Sequence, residues 1–478
     1  MLFNSLEFAL FLPLVFLLYW FVFNRNLRLQ NLFIVGISYL FYGWWDWRFL
    51  LLIAFTSGCS YLSGRAIARY GENRKTARRI TGANIALNLG ILFLFKYFNF
   101  FASGFSEMAA TLGFQVSPVT LRLILPVGIS FYTFQALSYT IDIYKGKIKP
   151  SKDPVAFFAF VSFFPQLVAG PIERSTQLLP QFARKRDFSY EEAADGTRQI
   201  LWGLFKKMVI ADNCAVAVNQ IFDNYGQYGG STLLVGGILF AFQIYGDFSG
   251  YSDMALGISR LFGFSLMRNF NYPYFSRDIA EFWRRWHISL STWFRDYLYI
   301  PLGGSRGSRL QSIRNVMIIF MVSGLWHGAN LTFICWGAFH GLLFLPLLLS
   351  GKNRTYTDIP GRNRMLPSLR EGTGMALTFL LVVMGWIFFR SATITDAIAY
   401  IGGIFSRTLF EYPAVISRKT AFFILLLITV EWIQRDKQHA LQLGRKHPAA
   451  IRWSLYYGLA IIILLWGGIP ESFIYFQF

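Results

Sequence analysis

The sequence predicts an all-α polytopic membrane protein, and three observations carry that expectation. Hydrophobic residues fill 54% of the 478 positions and charged residues only 15%, against about 45–50% and about 25% in ordinary soluble chains. Apolar windows long enough to cross a bilayer recur along the whole chain. Basic residues gather in short segments between those windows. A soluble protein of this size would have too few charges to cover its surface, and a disordered or fibrous chain would not carry 19% aromatic residues.

A helix rises 1.5 Å per residue, so about 20 mostly apolar residues cross roughly 30 Å of hydrocarbon. The first window, 5–23, follows Met1 without a basic lead or a small-residue cleavage site, and reads as a retained span rather than a cleaved signal. Windows 30–45, 49–64, 80–103 and 121–143 follow. The window 154–172 contains Pro165 and the Gly170-Pro171 pair, which mark it as a candidate re-entrant segment. Windows 198–220, 230–247, 313–328, 331–350, 372–389, 420–434 and 453–469 complete the series. The expectation is about 11–13 membrane helices including re-entrant segments, in a single integral domain over 1–478, with 173–195 and 351–371 as loops.

The formal net charge is +20, from 45 Lys and Arg against 25 Asp and Glu. Its clusters (Arg65 to Arg79, Lys145 to Lys152, and Arg435, Lys437, Arg445, Lys446 and Arg452) suit cytoplasmic loops under the positive-inside rule. Spans 5–23, 30–45 and 49–64, and then 80–103 with 121–143, return the chain to the inside at Arg65 and Lys145, which puts both termini outside. No groove-reading module accompanies the charge, so nucleic acid is not an expected partner. Cys59, Cys214 and Cys335 have neither zinc nor redox spacing. Cys59 and Cys335 lie in apolar runs, and Cys214 near Asp212 is the one candidate for a reactive thiol.

Three stretches bring polar chemistry into this apolar chain. Asn315 to Ser350 holds no Asp, Glu, Lys or Arg in 36 residues, yet contains His327 and His340. An ionisable side chain in a span is costly unless it faces a cavity or a partner. His327 sits in Trp326-His327-Gly328-Ala329-Asn330, a small and polar break between two apolar runs, and is the stronger functional candidate, with helix packing as the alternative. His340 is followed by continuous hydrophobics and reads first as a packing residue.

The second stretch, Phe270 to Gly307, is crowded with Arg and aromatic residues and looks interfacial or re-entrant. It reads either as a surface-lying basic helix or as a cationic entrance for a phosphate-rich ligand, with Arg284, Arg285 and Arg295 as the phosphate partners. In the third, Asp247 and Asp253 end an apolar run where Gly246 and Gly250 are expected to break the helix. These carboxylates read as helix caps or partners of nearby arginines, with direct chemistry as the alternative. No zinc-peptidase, P-loop, dinucleotide or serine-hydrolase motif occurs, and no metal site is expected.

Several blocks together resemble the membrane-bound O-acyltransferase (MBOAT) family, in the bacterial branch of alginate O-acetylation and D-alanyl-lipoteichoic-acid transfer. They are Tyr245 to Asp253, Glu281 to Tyr297, Tyr299 to Gly304, Leu325 to Asn330, Leu125 to Gln135, Val168 to Ile172 and Phe473 to Phe478. The resemblance implies an MBOAT-like bundle in the bacterial inner membrane, with a tunnel joining a cytoplasmic acyl donor to an acceptor on the far side. It implies no bound cofactor. Acetyl-CoA would be the donor, and an extracytoplasmic polysaccharide or a periplasmic acetyltransferase partner the acceptor. His327 matches the family's intramembrane catalytic histidine, and His287 matches the second family position.

The chemistry also suits the residues themselves. An imidazole with a pKa near about 6.5 is largely neutral at pH 7 and can take a proton from a hydroxyl. His327 is the expected general base, with Trp326, Asn330 or His287 orienting donor or oxyanion and Asp247 as a further substrate-binding candidate. No Ser or Cys at a motif position demands a covalent intermediate, so direct transfer is expected. A transporter should show paired intramembrane charges or corresponding broken helices, which are not evident. A non-catalytic scaffold would tolerate loss of His327.

Overall fold

The computed structural model describes residues 1–115, 117–168, 170–362, 364–443 and 448–474, and among these the regular structure is helical, without a strand. Ala169, Arg445, Lys446 and the terminal Tyr475-Phe476-Gln477-Phe478, all singled out in the sequence, lie outside the described residues. The fold is thus the expected all-α polytopic one. Among the described residues, six helices are long and apolar enough to cross a membrane by themselves: Arg48–Arg69, Arg74–Thr111, Gly230–Leu261, Leu331–Leu349, Leu369–Arg390 and Ala449–Trp466. Other apolar windows form shorter or interrupted helices, such as Leu27–Gly43 and Arg418–Ile433. Of the window 121–143 only Ile129–Tyr144 is helical, and the window 154–172 breaks at Phe163 between Pro154–Ser162 and Phe164–Leu167.

Chain contacts divide the protein into two compact units, one of Met1–Ala193 with Ile258–Met267 and one of Ala194–Gly257 with the chain from Arg268 onward. In the first, buried polar side chains hold apolar helices together. Thr140 donates to Asn84 Oδ1 (2.9 Å) and Asn84 donates to Ser60 Oγ (3.3 Å), linking three helices. Such bonds are favoured where lipid offers a freed polar group no substitute partner. The segment 173–195, expected to be a loop, is partly internal. Glu173, Arg174 and Arg186 are buried, and Arg186 donates to Gln30 and Asn31 (2.8 Å each) while lying over the Phe264 ring.

In the second unit, Gly246 and Gly250 do not break the helix as expected. The Gly230–Leu261 helix runs through both. A Cβ at Gly250 would lie 2.8 Å from the Gly203 carbonyl oxygen, and one at Gly257 2.4 Å from that of Gly196. These glycines therefore let two backbones touch, the small-residue packing of membrane helices. Asp247 and Asp253 accordingly sit mid-helix, and their partners are lysines. Lys206 pairs with Asp253, and Lys207 pairs with Asp247 and Asp212 (2.8 Å each). A π-helical segment, Phe205–Ala211, carries both lysines.

Replacing Gly250 by Ala should lower the thermal midpoint of the detergent-solubilised protein by the equivalent of about 1–3 kcal/mol, the usual cost of overpacking. Gly36, with nothing within 4 Å of its would-be Cβ, is the control. Equal midpoints for Gly250→Ala and Gly36→Ala would contradict the packing role.

Candidate functional site

The site is built from two pieces of the second unit. The first is a hairpin of Arg309–His327 and Leu331–Leu349, turned by Gly328, Ala329 and Asn330. Its helices are in backbone contact, since a Cβ at Gly324 would fall 2.1 Å from the Phe333 carbonyl oxygen and one at Gly337 2.2 Å from that of Phe320. Asn330 caps the second helix by accepting from the Thr332 amide (3.0 Å) and donates to the Ala392 carbonyl (3.0 Å). His327 ends the first helix, buried among Trp326, Trp336 and Phe389 at ring separations of 5.0, 5.2 and 5.3 Å.

The second piece is the aromatic stretch, which folds as two short helices, Ile279–Arg285 and Ile288–Phe294, with His287 between them. It is not a surface-lying helix, because Phe282, Trp286, His287, Leu290, Trp293 and Phe294 are buried. His287 adopts left-handed backbone angles (φ 43°, ψ 55°), and Tyr272 is the one other non-glycine residue at positive φ among the described residues. Such a conformation costs on the order of 1–3 kcal/mol and persists only where its surroundings impose it. Here they do. The Ile288 amide donates to the Asn269 carbonyl and the Asn271 amide to the Arg285 carbonyl (2.9 Å each), pinning the chain on both sides.

Asn269 also fixes the ring. Its Oδ1 accepts from His287 Nδ1 (3.0 Å) and from the Ser289 amide and hydroxyl (3.3 and 3.0 Å), while its amide group donates to Ser252 (3.3 Å). An oxygen that accepts from Nδ1 selects the Nδ1–H tautomer and places the lone pair on Nε2. The sequence reading missed Asn269 because it lies 18 positions before His287, at no motif spacing. The His287 and His327 rings are 6.5 Å apart.

Both histidines line one cavity of about 100 Å³, with Trp283, Leu290, Phe320 and Ser323 among its walls. Ser291, Ile319 and Phe320 also line a second cavity of about 220 Å³, where Arg295, Arg354, Asn353 and Tyr299 bring polar and cationic groups. Of the three candidate phosphate partners, Arg295 alone is among the residues lining these two cavities, and it also pairs with Asp296 (2.7 Å). Arg354 joins it, from the expected loop 351–371.

Arg284 and Arg285 hold the scaffold. Arg284 donates to the carbonyls of Asn353 and Tyr356 (2.6 Å each), clamping the loop that presents Arg354. Arg285 pairs with Glu281 (2.9 Å) and donates to the carbonyls of Asn271 and Asp358. Asp247 lies away from the cavities, accepting from Lys207 and from the Ile474 amide (2.6 Å). Trp326 touches both histidine rings, 5.0 Å from His327 and 5.9 Å from His287. His340 is fully buried between Trp283 and Trp336, and neither ring nitrogen has a hydrogen-bond partner among the described residues. Cys214 is buried, and no cluster of metal-ligating side chains occurs among the described residues.

Residues 150–368 match the membrane-bound O-acyltransferase (MBOAT) family. The chain is 41% identical over 398 residues to the probable alginate O-acetylase AlgI of Pseudomonas aeruginosa, covering 83% of this chain and 73% of that protein. It is 35% identical over 434 residues to the peptidoglycan O-acetyltransferase of Helicobacter pylori, covering 84% and 80%. It is 30% identical over 285 residues to the teichoic acid D-alanyltransferase of Bacillus subtilis, covering 56% and 69%.

The loop clamped by Arg284 is also pinned through Asp358, whose carboxylate accepts from Arg277 Nη2 (2.8 Å). That bond holds the Asp358 carboxyl below the ordinary aspartate range. A depressed carboxyl pKa stabilises the folded loop above the unfolded value, about 3.9, and the contribution fades as pH falls through the lower folded value. Pepsin should therefore cut the 352–361 loop slowly near pH 5 and faster below about pH 4. Asp358→Asn should be cut faster already at pH 5, and equal rates there would contradict the pairing.

Proposed function

The chain belongs to the membrane-bound O-acyltransferase family and is a multi-pass membrane O-acyltransferase, and from that premise we propose that it acetylates an extracytoplasmic polysaccharide from the bacterial inner membrane. The donor in this reading is a cytoplasmic thioester, acetyl-CoA. The acetyl group passes through the protein to a polymer hydroxyl or to a periplasmic partner transferase. Relatives named for acetyl transfer to alginate and to peptidoglycan support the acetyl group and a polysaccharide acceptor.

The single observation that carries the proposal is the pair of adjoining cavities, one holding both histidines and the next holding Arg295 and Arg354. Guanidinium groups suit the phosphates of a nucleotide thioester. The thioester carbonyl then lies in the inner cavity between two imidazoles. His327 takes the proton from the acceptor hydroxyl as its oxygen attacks the carbonyl carbon, forming a tetrahedral oxyanion. The carbon–sulfur bond breaks, the thiolate departs, and the imidazolium returns its proton to sulfur, so that ester and free thiol are the products. His287, oriented by Asn269, is the hydrogen-bonding partner of donor or oxyanion, and Trp326 packs both rings in place.

His327→Ala should abolish ester-linked acetate on the cell-surface polysaccharide while the protein remains at normal abundance in the membrane. Undiminished acetate would defeat the assignment of His327 and favour a scaffold role. In membrane vesicles, Arg295→Ala and Arg354→Ala should each raise KM for acetyl-CoA about 10–100-fold, the scale of one charge-assisted hydrogen bond, with kcat changed less. The penalty should shrink in high salt. A fall in kcat at constant KM would place these residues elsewhere in the reaction.

A further inference from the structure

We propose that Phe320 sets the length of the acyl group by closing the inner cavity to anything much larger than acetyl. The inference rests on the reading of the histidine cavity as the place of transfer. That cavity holds about 100 Å³, or roughly three times a water molecule's share of liquid volume, about 30 Å³. An acetyl thioester brings four heavy atoms, the methyl and carbonyl carbons, the oxygen and the sulfur, which with an acceptor hydroxyl occupy a space of that order. Each further methylene needs a volume comparable to one water, so a butyryl group asks for roughly 60 Å³ more than acetyl and an octanoyl group for roughly 180 Å³ more.

Phe320 lines both cavities, and so stands where the donor's acyl end would pass from one into the other. Its ring packs between Trp283 at 5.4 Å and Phe344 at 5.7 Å. Its backbone has no freedom to withdraw toward the second hairpin helix. A Cβ at Gly337 would already lie 2.2 Å from the Phe320 carbonyl oxygen, and one at Gly341 3.4 Å from the Phe320 Cβ. Of the three side chains shared by the two cavities, Ser291, Ile319 and Phe320, the phenyl ring is the largest, and shortening it widens the junction without touching either histidine or either arginine. Removing the ring vacates space equivalent to several methylenes. Rigid walls then limit what longer chains gain, because close-packed helices do not reshape to fit a ligand.

The test measures transfer from acetyl-, propionyl- and butyryl-CoA in membrane vesicles containing wild type, Phe320→Ala, Phe320→Leu and His327→Ala. Wild type should prefer acetyl over butyryl at least 50-fold in kcat/KM, since rejecting two methylenes is worth about 10–200-fold each at most. Phe320→Ala should reduce that preference at least tenfold, with Phe320→Leu between the two. An unchanged ratio in both Phe320 variants, alongside a dead His327→Ala, would overturn the sizing role and leave the transfer site standing. Full activity in His327→Ala would instead overturn the site itself. Should Phe320→Ala fail to accumulate, the ratio in Phe320→Leu decides the question, for a leucine still shortens the wall.

Discussion

The site depends above all on one steric constraint, the backbone contact between Arg309–His327 and Leu331–Leu349. In lipid no hydrophobic force draws two apolar helices together, so dispersion and close approach must do so. Gly324 and Gly337 permit that approach because a Cβ at either would collide with a carbonyl oxygen little more than 2 Å away. The hairpin is thereby locked along its length, and the positions of His327 at its turn and Phe320 on its wall follow. Gly203, Gly250 and Gly257 apply the same device to the neighbouring helices of the unit, where the Lys206 and Lys207 ion pairs are buried.

Those ion pairs explain why Asp247 stands apart from the cavities. Two lysines in one π-helical turn meet Asp212, Asp247 and Asp253, with Glu431 accepting from Tyr245 nearby. Burying charges is costly, and the attraction between partners recovers that cost only when geometry and extra hydrogen bonds are good. The Ile474 amide and the Glu471 carbonyl supply such bonds, tying the segment before the C-terminus to the helix bearing Asp247. The carboxylate is thus tied into the scaffold, with lysine partners where arginines were expected.

The class of fold was legible in the sequence because it depends on composition, on apolar windows of spanning length, and His327 and His340 stood out as ionisable side chains within them, whereas His287, in an arginine-crowded stretch, was singled out by the family resemblance. What was not legible depends on which atoms meet. Glycine in an apolar run signals a break or a close contact equally well, and only the partner backbone distinguishes them, so Gly246 and Gly250 were misread. Arg284, Arg285 and Arg295 look alike in sequence, yet the first two have their donors taken by carbonyls and Glu281 while the third reaches a cavity. Asn269 and Arg354 come from segments remote in sequence from the histidines, and Phe320 is one phenylalanine among 51.

The arrangement also separates two electrostatic demands that would conflict at one place. In the proposed reaction, anchoring a phosphate-rich donor calls for cations, but a cation beside His327 would oppose the imidazolium that the proposed transfer forms there. Two unit charges 4 Å apart interact by about 4 kcal/mol at an effective dielectric constant near 20, enough to cancel much of what general-base catalysis contributes. Among the residues lining the inner cavity the histidines are the only ionisable groups, and Arg295 and Arg354 line the outer one. A thioester on a long flexible arm suits that division, since its charged end and its reacting carbonyl are far apart. The clamp of Arg284 on the 353–356 loop keeps the cationic end where it is, and the glycine-packed hairpin keeps the neutral end small.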